Sequence, residues 1–229
     1  MAIKVTKGTD KRASAVTNKR TNDPEKTAAA ILAAATDEFA DKGLAGARIE
    51  AIAAATNTRK FMIYYYFQNK EGLYLAALEE AYRGIRLAEA KLQLADLAPV
   101  AAMKTLVGFA FDYHDDHPQF VRLVMAENMN NGRYLEQSKV IRELNASVIQ
   151  EVAAIYRRGV KEGVFRPSLS PIDIHTTISA LAFHNVSNRP TFSHIFASDT
   201  TSTRTANRRQ TVLDTVMRYV LTDLLATQA

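Results

Sequence analysis

The stretch IAAATNTRKFMIYYYFQNKE, from Ile52 to Glu71, decides how the rest of this chain is read. It begins with small, helix-forming residues, which Thr56-Asn57-Thr58 then interrupts with polar side chains that compete for backbone hydrogen bonds. Two cations, Arg59 and Lys60, open a second short segment that passes through Phe61 and Met62 into Tyr64-Tyr65-Tyr66-Phe67. Two short helices at a steep angle, the second carrying donors and aromatic rings outward, is the layout of a helix-turn-helix. Asn57 stands at the turn, where a positive φ is often needed and Asn tolerates it. Tyr64 to Phe67 spans a full helical turn, so at least one ring must face inward. Phe67 is assigned to the core, and Tyr65 and Tyr66 to the surface.

Working outward, Asp23-Pro24-Glu25 reads as the start of a first helix: a cap, a proline suited to the first position, and a carboxylate that complements the helix dipole. Ala28, Ile31, Leu32, Ala35 and Phe39 recur at helical spacing, and Gly43 is placed to end the helix. The next helix follows from about Arg48, with Ile49, Ile52 and Ala53 inward. Beyond the tyrosines, Asn69 caps a long helix reaching about Leu92, its face marked by Leu75, Leu78, Tyr82 and Ile85. Further helices are expected from Pro99 to the His114–Pro118 break, from Phe120 to Asn128, and from Arg133 to Lys161, closed by Gly163. Another is expected from Pro171 to Pro190. A polar loop from Ala197 to Arg204 then leads to a last helix carrying Leu213, Val216, Val220 and Leu224. No stretch alternates at period two, so the fold class is all-α.

Composition and charge narrow the function. The 229 residues are 47% hydrophobic with 9 Gly and 6 Pro, enough to build a core of long helices. There is no cysteine, which excludes disulfides and thiolate metal sites and fits a reducing cytoplasm. No apolar run reaches membrane-spanning length, so no membrane partner is expected. The net charge of +5 is concentrated: residues 1–22 hold Lys4, Lys7, Lys11, Arg12, Lys19 and Arg20 against Asp10 alone. That segment is expected to be a disordered basic arm, which either tracks DNA phosphates or serves as a solubilising tail. Three parts follow: the arm at 1–22, a helix-turn-helix DNA-binding domain at 23–71, and a larger helical part at 72–229.

The region from about Lys26 to Leu78 resembles the DNA-binding head of tetracycline-repressor (TetR) family regulators. The resemblance is carried by Phe39-(x)3-Gly43, by Ile52-Ala53, and by the Tyr-Tyr-Tyr-Phe-x-Asn-Lys-Glu run. It implies a three-helix head and about six further helices forming a ligand-binding, dimer-forming body, so that 72–229 is an effector-binding and dimerisation domain. It also implies roles residue by residue. Lys60, Phe61 and Met62 fall where the recognition helix meets base edges, with Arg59 beside them. Tyr64, Tyr65 and Tyr66 fall where side chains reach the phosphate backbone or pack beneath it; Lys70 matches a phosphate-contacting cation, and Arg48 stands within reach of another phosphate. Asn57, Thr58 and Arg59 depart from the usual Gly, Val and Ser, and bulky Phe61 and Met62 suit thymine methyl groups better than hydrogen-bond readout.

In the body, Phe111, Tyr113, Phe120, Val124 and Phe183 are candidates for the apolar walls of an effector site. Arg122, Asn128, His184 and Asn188 are candidates to orient a small polar or anionic effector; the alternative is that they bond between helices or across a dimer. His114-Asp115-Asp116-His117 is read as a solvated turn rather than a metal site, since no further spaced ligand set accompanies it. The Ile174 and Leu213 helices are assigned to a dimer interface. No Gly-rich phosphate loop, thiol nucleophile or convincing catalytic carboxylate pair is present, so neither a cofactor nor an enzyme is expected. The reading is a homodimeric regulator, a repressor released from a palindromic operator on double-stranded DNA by a small molecule of unspecified identity. Two rivals stay open: an architectural DNA-binding protein without effector, and a helical enzyme built on the His114–His117 cluster.

Overall fold

The computed structural model describes residues 23–196 and 202–222, which form ten α-helices. They are α1 (Pro24–Gly46), α2 (Ile49–Ala55), α3 (Lys60–Phe67), α4 (Lys70–Ala90), α5 (Pro99–Asp116), α6 (Pro118–Met129), α7 (Lys139–Lys161), α8 (Pro171–Ser187), α9 (Arg189–Ile195) and α10 (Ser202–Val220). Short 3-10 turns lie at Leu94–Asp96 and Leu135–Gln137. Among the described residues the β pairing is a single isolated bridge between Phe165 and Leu221. The basic segment 1–22, the loop residues 197–201 and Leu224 lie outside the described residues.

Local chemistry sets most helix ends. The Asp23 carboxylate accepts from the Glu25 and Lys26 N–H groups at 3.1 and 3.4 Å, with Pro24 in the first turn. Gly43 takes φ +63° and breaks the regular helix, as its position suggested. Asn69 accepts from Gly72 N–H at 2.7 Å and starts α4. Prolines 99, 118 and 171 each open a helix.

Several expectations are corrected. The helix expected from Arg133 begins only at Lys139. The N–H groups of Tyr134 and Leu135 are drawn to the Glu127 carboxylate at 2.6 and 3.1 Å, and Ser138 caps the new start through Ile141 N–H at 3.0 Å. Pro190 does not merely end a helix; it sits in the first turn of α9, where a missing N–H costs nothing. Residues 202–204, expected in a loop, already belong to α10. On α4 the buried face runs through Leu73, Tyr74, Ala77, Leu78 and Ile85, while Leu75 and Tyr82 are half-buried.

Three apolar clusters organise the packing. One joins Ile31, Ala35 and Phe39 of α1 to Ile49 and Ile52 of α2 and Ile63 of α3, then continues into Leu73, Tyr74, Ala77 and Leu78 of α4. Leu123 of α6 and Ile141 of α7 complete it, so the head core reaches across into the body. A larger cluster unites α5, α7, α8 and α10 through Met103, Phe111, Val152, Ile178 and Val216. Ile174, Ile178, Val216 and Val220 are buried in this cluster, with Leu213 packed on it. The apolar sides assigned above to a dimer are therefore already covered within the chain. A third, small cluster at Ile85, Phe120, Val121 and Val186 lies between α4, α6 and α8.

Gly159 shows how tightly α7 is packed. A methyl group added there would run into the buried Phe165 ring, which stacks 6.4 Å from Tyr156 at 7°. The Tyr156 hydroxyl donates to Arg166 O and accepts from Leu169 N–H, both at 2.9 Å, so the loop carrying Phe165 has little room to retreat. Gly159→Ala should destabilise the fold by roughly 1–3 kcal/mol through overpacking. A lowered midpoint in urea, with an unchanged slope, is the expected observation.

Candidate functional site

The head presents α3 outward because Ile63 is its one fully buried side chain. Phe61 is 60% exposed, Tyr65 76% and Tyr64 44%, and Arg59 and Lys60 are exposed beside them. Such large aromatic exposure on one short helix is a patch without an intramolecular use. Met62 is half-buried. Tyr66, expected outside, is half-buried as well: it packs on the head core with Phe67 and holds Tyr65 edge-on at 5.3 Å. Phe67 is itself half-buried, and Ile63 takes the central place assigned to it.

The turn before α3 is built as the sequence suggested. Asn57 takes φ +49°, and the Thr56 and Thr58 hydroxyls bond at 2.7 Å. Lys60 forms an ion pair with Glu50 of α2, and the Lys60 cation holds the Glu50 carboxyl below its usual range. Lys70 lies at the start of α4 and donates to Ala45 O at 3.3 Å. Arg48 is exposed at the start of α2, anchored by its backbone N–H to Glu38 at 3.0 Å. All nine residues assigned to DNA thus lie on α3 or at the starts of α2 and α4.

The body holds a cavity of about 470 Å³ between α4, α5, α6, α7 and α8, with α7 contributing Asn145. Of the side chains assigned to an effector, Phe120, Val124, Asn128 and Phe183 line it. Phe111 is instead a core residue, and Tyr113 stacks on His117 at 3.9 Å outside the lining. Arg122 faces the head, pairing with Asp41 of α1 at 2.7 Å. His184 of α8 and Asn188, which caps its end, are exposed and do not line the cavity.

Sequence reasoning missed the most polar part of the lining. Arg86 and Glu89 of α4 enter the cavity with Tyr82, and His175 of α8 and His114 of α5 face them. Glu89 continues the Leu78–Tyr82–Ile85 stripe, and Arg86 lies three residues before it. That charged pair beside an apolar face was the available signal. His114 corrects an expectation directly: it is buried, lying parallel to Phe120 at 5.7 Å and edge-on to Phe183 at 5.8 Å. His117 alone behaves as the turn residue foreseen, exposed and bonded through Nδ1 to Tyr113 O at 2.9 Å. Among the described residues no His, Asp or Glu group converges into a metal-binding cluster.

Burial governs the electrostatics here. It pushes Arg86 below its ordinary range against the opposing pull of Glu89, and raises Glu89 despite Arg86, with Glu151 adding to the rise. Burial also lowers His175, and brings His114 down to about 4 with further repulsion from Arg86. Both imidazoles are therefore neutral near pH 7.

Comparison with known proteins follows this division of the chain. Residues 31–77 match the family model described as bacterial regulatory proteins, tetR family, and residues 99–216 match the tetracyclin repressor-like C-terminal domain. The HTH-type transcriptional repressor NicS of Pseudomonas putida is 36% identical over 184 residues, 80% of this chain and 86% of that protein. The chain belongs to the TetR family of transcriptional regulators. The HTH-type transcriptional regulator RutR of Escherichia coli is 36% identical over 167 residues, 73% of this chain and 72% of RutR. A TetR transcriptional regulator from Chloroflexus aurantiacus shares the fold, with TM-score 0.66 at 21% identity over 87% of this chain and 98% of that one. These relatives are DNA-binding regulators and not enzymes. Among the described residues no helix is long and apolar enough to cross a membrane.

The depressed His114 carries a stability consequence. The unfolded chain binds a proton near pH 6.5 and the folded chain only near about 4, so unfolding takes up a proton in that window and stability falls as pH drops through it. His114→Phe, which keeps a ring between Phe120 and Phe183, should lose this component. Urea midpoints measured from pH 7 to pH 4 are expected to decline less steeply for the variant than for the parent.

Proposed function

We infer that two copies of this regulator bind a palindromic operator on double-stranded DNA and repress transcription until a small molecule enters the body cavity. The protein acts in the cytoplasm, where operator and effector meet. The observation that carries the reading is the exposed ring-and-cation face of α3, presented by a helix pair of the family's DNA-binding type. Arg59, Lys60, Phe61 and Met62 are assigned to base edges, with Phe61 and Met62 favouring thymine methyl groups. Tyr64, Tyr65, Lys70 and Arg48 are assigned to phosphates, and Tyr66 to packing beneath them.

In the dimer, α3 helices sit in successive major grooves about 34 Å apart. The pairing uses the outward sides of α8 and α10, because their inward sides are buried in the chain's own core. The effector acts by favouring a state with different head spacing, and a coupling of roughly 1–3 kcal/mol lowers operator affinity about 5- to 150-fold. The basic segment 1–22 adds a phosphate-tracking arm. Support for the coupling route comes from α4 and α6, which line the cavity and also contribute to the head core.

Selection of randomised duplexes by the purified protein tests the reading: an enriched palindrome is expected. Binding without enrichment, which vanishes as salt rises, would favour an architectural protein. Two variants separate the assigned roles. Lys70→Ala should weaken binding to every duplex and reduce the salt slope by about one, whereas Phe61→Ala should change which bases are preferred. Competition assays at two or more salt concentrations distinguish these outcomes, and the reverse pattern would overturn the assignment.

A further inference from the structure

The body cavity contains a guanidinium whose hydrogen-bonding capacity is partly unused. Arg86 pairs with Glu89 through Nη1 at 2.5 Å, but Nε and Nη1 are buried and neither has a hydrogen-bond partner of good geometry. A guanidinium offers five donors in a planar fork, and Glu89 is the one charged group paired with it, leaving Nε without a partner. A buried donor left unmatched is costly, and a buried charge more so. Glu89 satisfies the fork only in part, since the pair is a contact to Nη1 alone rather than a two-pronged one. Burial and Glu151 also push Glu89 towards its neutral form, which would leave the guanidinium without any counter-charge.

The surroundings define the shape of what would fit. His114 lies parallel to Phe120 within 8°, giving a flat wall, and Phe183 stands perpendicular to it at 85°. Phe109 and Tyr82 also line the space. His114 lines the same cavity, and its Nδ1 atom is buried without a hydrogen-bond partner, a second unmet polar group in the wall. At about 470 Å³ the cavity is at the small end of ligand sites, which run from roughly 300 to 1,000 Å³.

We propose that this cavity binds a small aromatic carboxylic acid as its anion, the carboxylate on Arg86, the ring against Phe120 and Phe183, and a hydroxyl substituent at His114 Nδ1. A carboxylate supplies two acceptor oxygens in the geometry of the guanidinium fork, which an amide or a ring carbonyl does not. A hydroxyl both donates and accepts, so it satisfies either tautomer of the neutral imidazole. This assignment rests on the reading of the cavity as the effector site, and it adds the chemical class.

The test is titration calorimetry on the full chain with benzoate, salicylate and 4-hydroxybenzoate, each set against its carboxamide. At least one acid should bind tenfold or more tightly than its amide. Arg86→Lys, which keeps the charge and removes the fork, should lose tenfold or more of that affinity with the amide unchanged. If Arg86→Lys does not fold, Glu89→Gln serves instead: removing the competing carboxylate should tighten the acid threefold or more. His114→Phe should weaken the hydroxylated acids and spare benzoate. Amides binding as well as acids, no binding by any acid, or indifference to both the Arg86 and Glu89 changes would each overturn the proposal. Operator binding measured alongside separates the two readings. Acid binding that leaves operator affinity unchanged upholds the site and removes the effector role. Release by an uncharged compound, with no acid bound, does the opposite.

Discussion

A carboxylate sealed from water ties this molecule together. Glu127 of α6 is fully buried, and a buried carboxyl group is tolerable only when its oxygens are matched. One oxygen accepts from the Tyr74 hydroxyl of α4 at 3.1 Å, and the other from the Tyr134 and Leu135 backbone N–H groups at 2.6 and 3.1 Å. Burial, and after it the Glu127 charge, raise the Tyr74 hydroxyl well above its ordinary range, which keeps it a donor. Two helices and the turn that follows the second are thereby fixed to one another. Tyr74 in turn stands edge-on to Phe39 at 5.1 Å and to Tyr134 at 5.2 Å, which carries the clamp into the centre of the head.

Much of the architecture follows from that clamp. With α6 held against α4, Leu123 enters the head core, while Phe120, Val124 and Asn128 remain on the cavity side. The same division applies along α4, whose first half belongs to the head and whose second half supplies Tyr82, Ile85, Arg86 and Glu89 to the cavity. A proposed effector therefore touches the very helices whose other faces position α3. No chain of distant contacts is needed, because packed helices shift as rigid bodies rather than deform.

Charge placement separates surface from interior. The Arg122–Asp41 pair between α6 and α1 is more than half exposed on both sides, so solvent screening limits it to roughly 0–1 kcal/mol. The Lys60–Glu50 pair is similarly open, and a nucleic-acid phosphate can compete for the lysine without a desolvation cost. Arg86 and Glu89 are different, since 13% and 7% side-chain exposure leaves little water to support them. The chain thus keeps its one poorly matched charge pair, among the described residues, in the wall of its cavity.

The helix-turn-helix was legible because its signals are local. A polar break, an Asn that accepts positive φ, capping residues at Asp23 and Asn69 and helical spacing of apolar residues all act within one or two turns of chain. The cavity was legible only in part. Phe120, Val124 and Phe183 were found as apolar wall residues and Asn128 as a polar group among them, but Arg86, Glu89, His114 and His175 were not assigned to it. Their significance depends on five helices converging, and His114 looked like a turn residue because its neighbours Asp115, Asp116 and His117 are polar.

By itself, then, the sequence determined the helical class, the caps and the turn, since each rests on interactions between residues close in the chain. Only the tertiary structure decided which helix sides were already covered, that Glu127 would delay α7 to Lys139, and that Arg86 would face a cavity without a matched acceptor. These depend on which groups are removed from water together, and that is settled by packing between segments far apart in the chain.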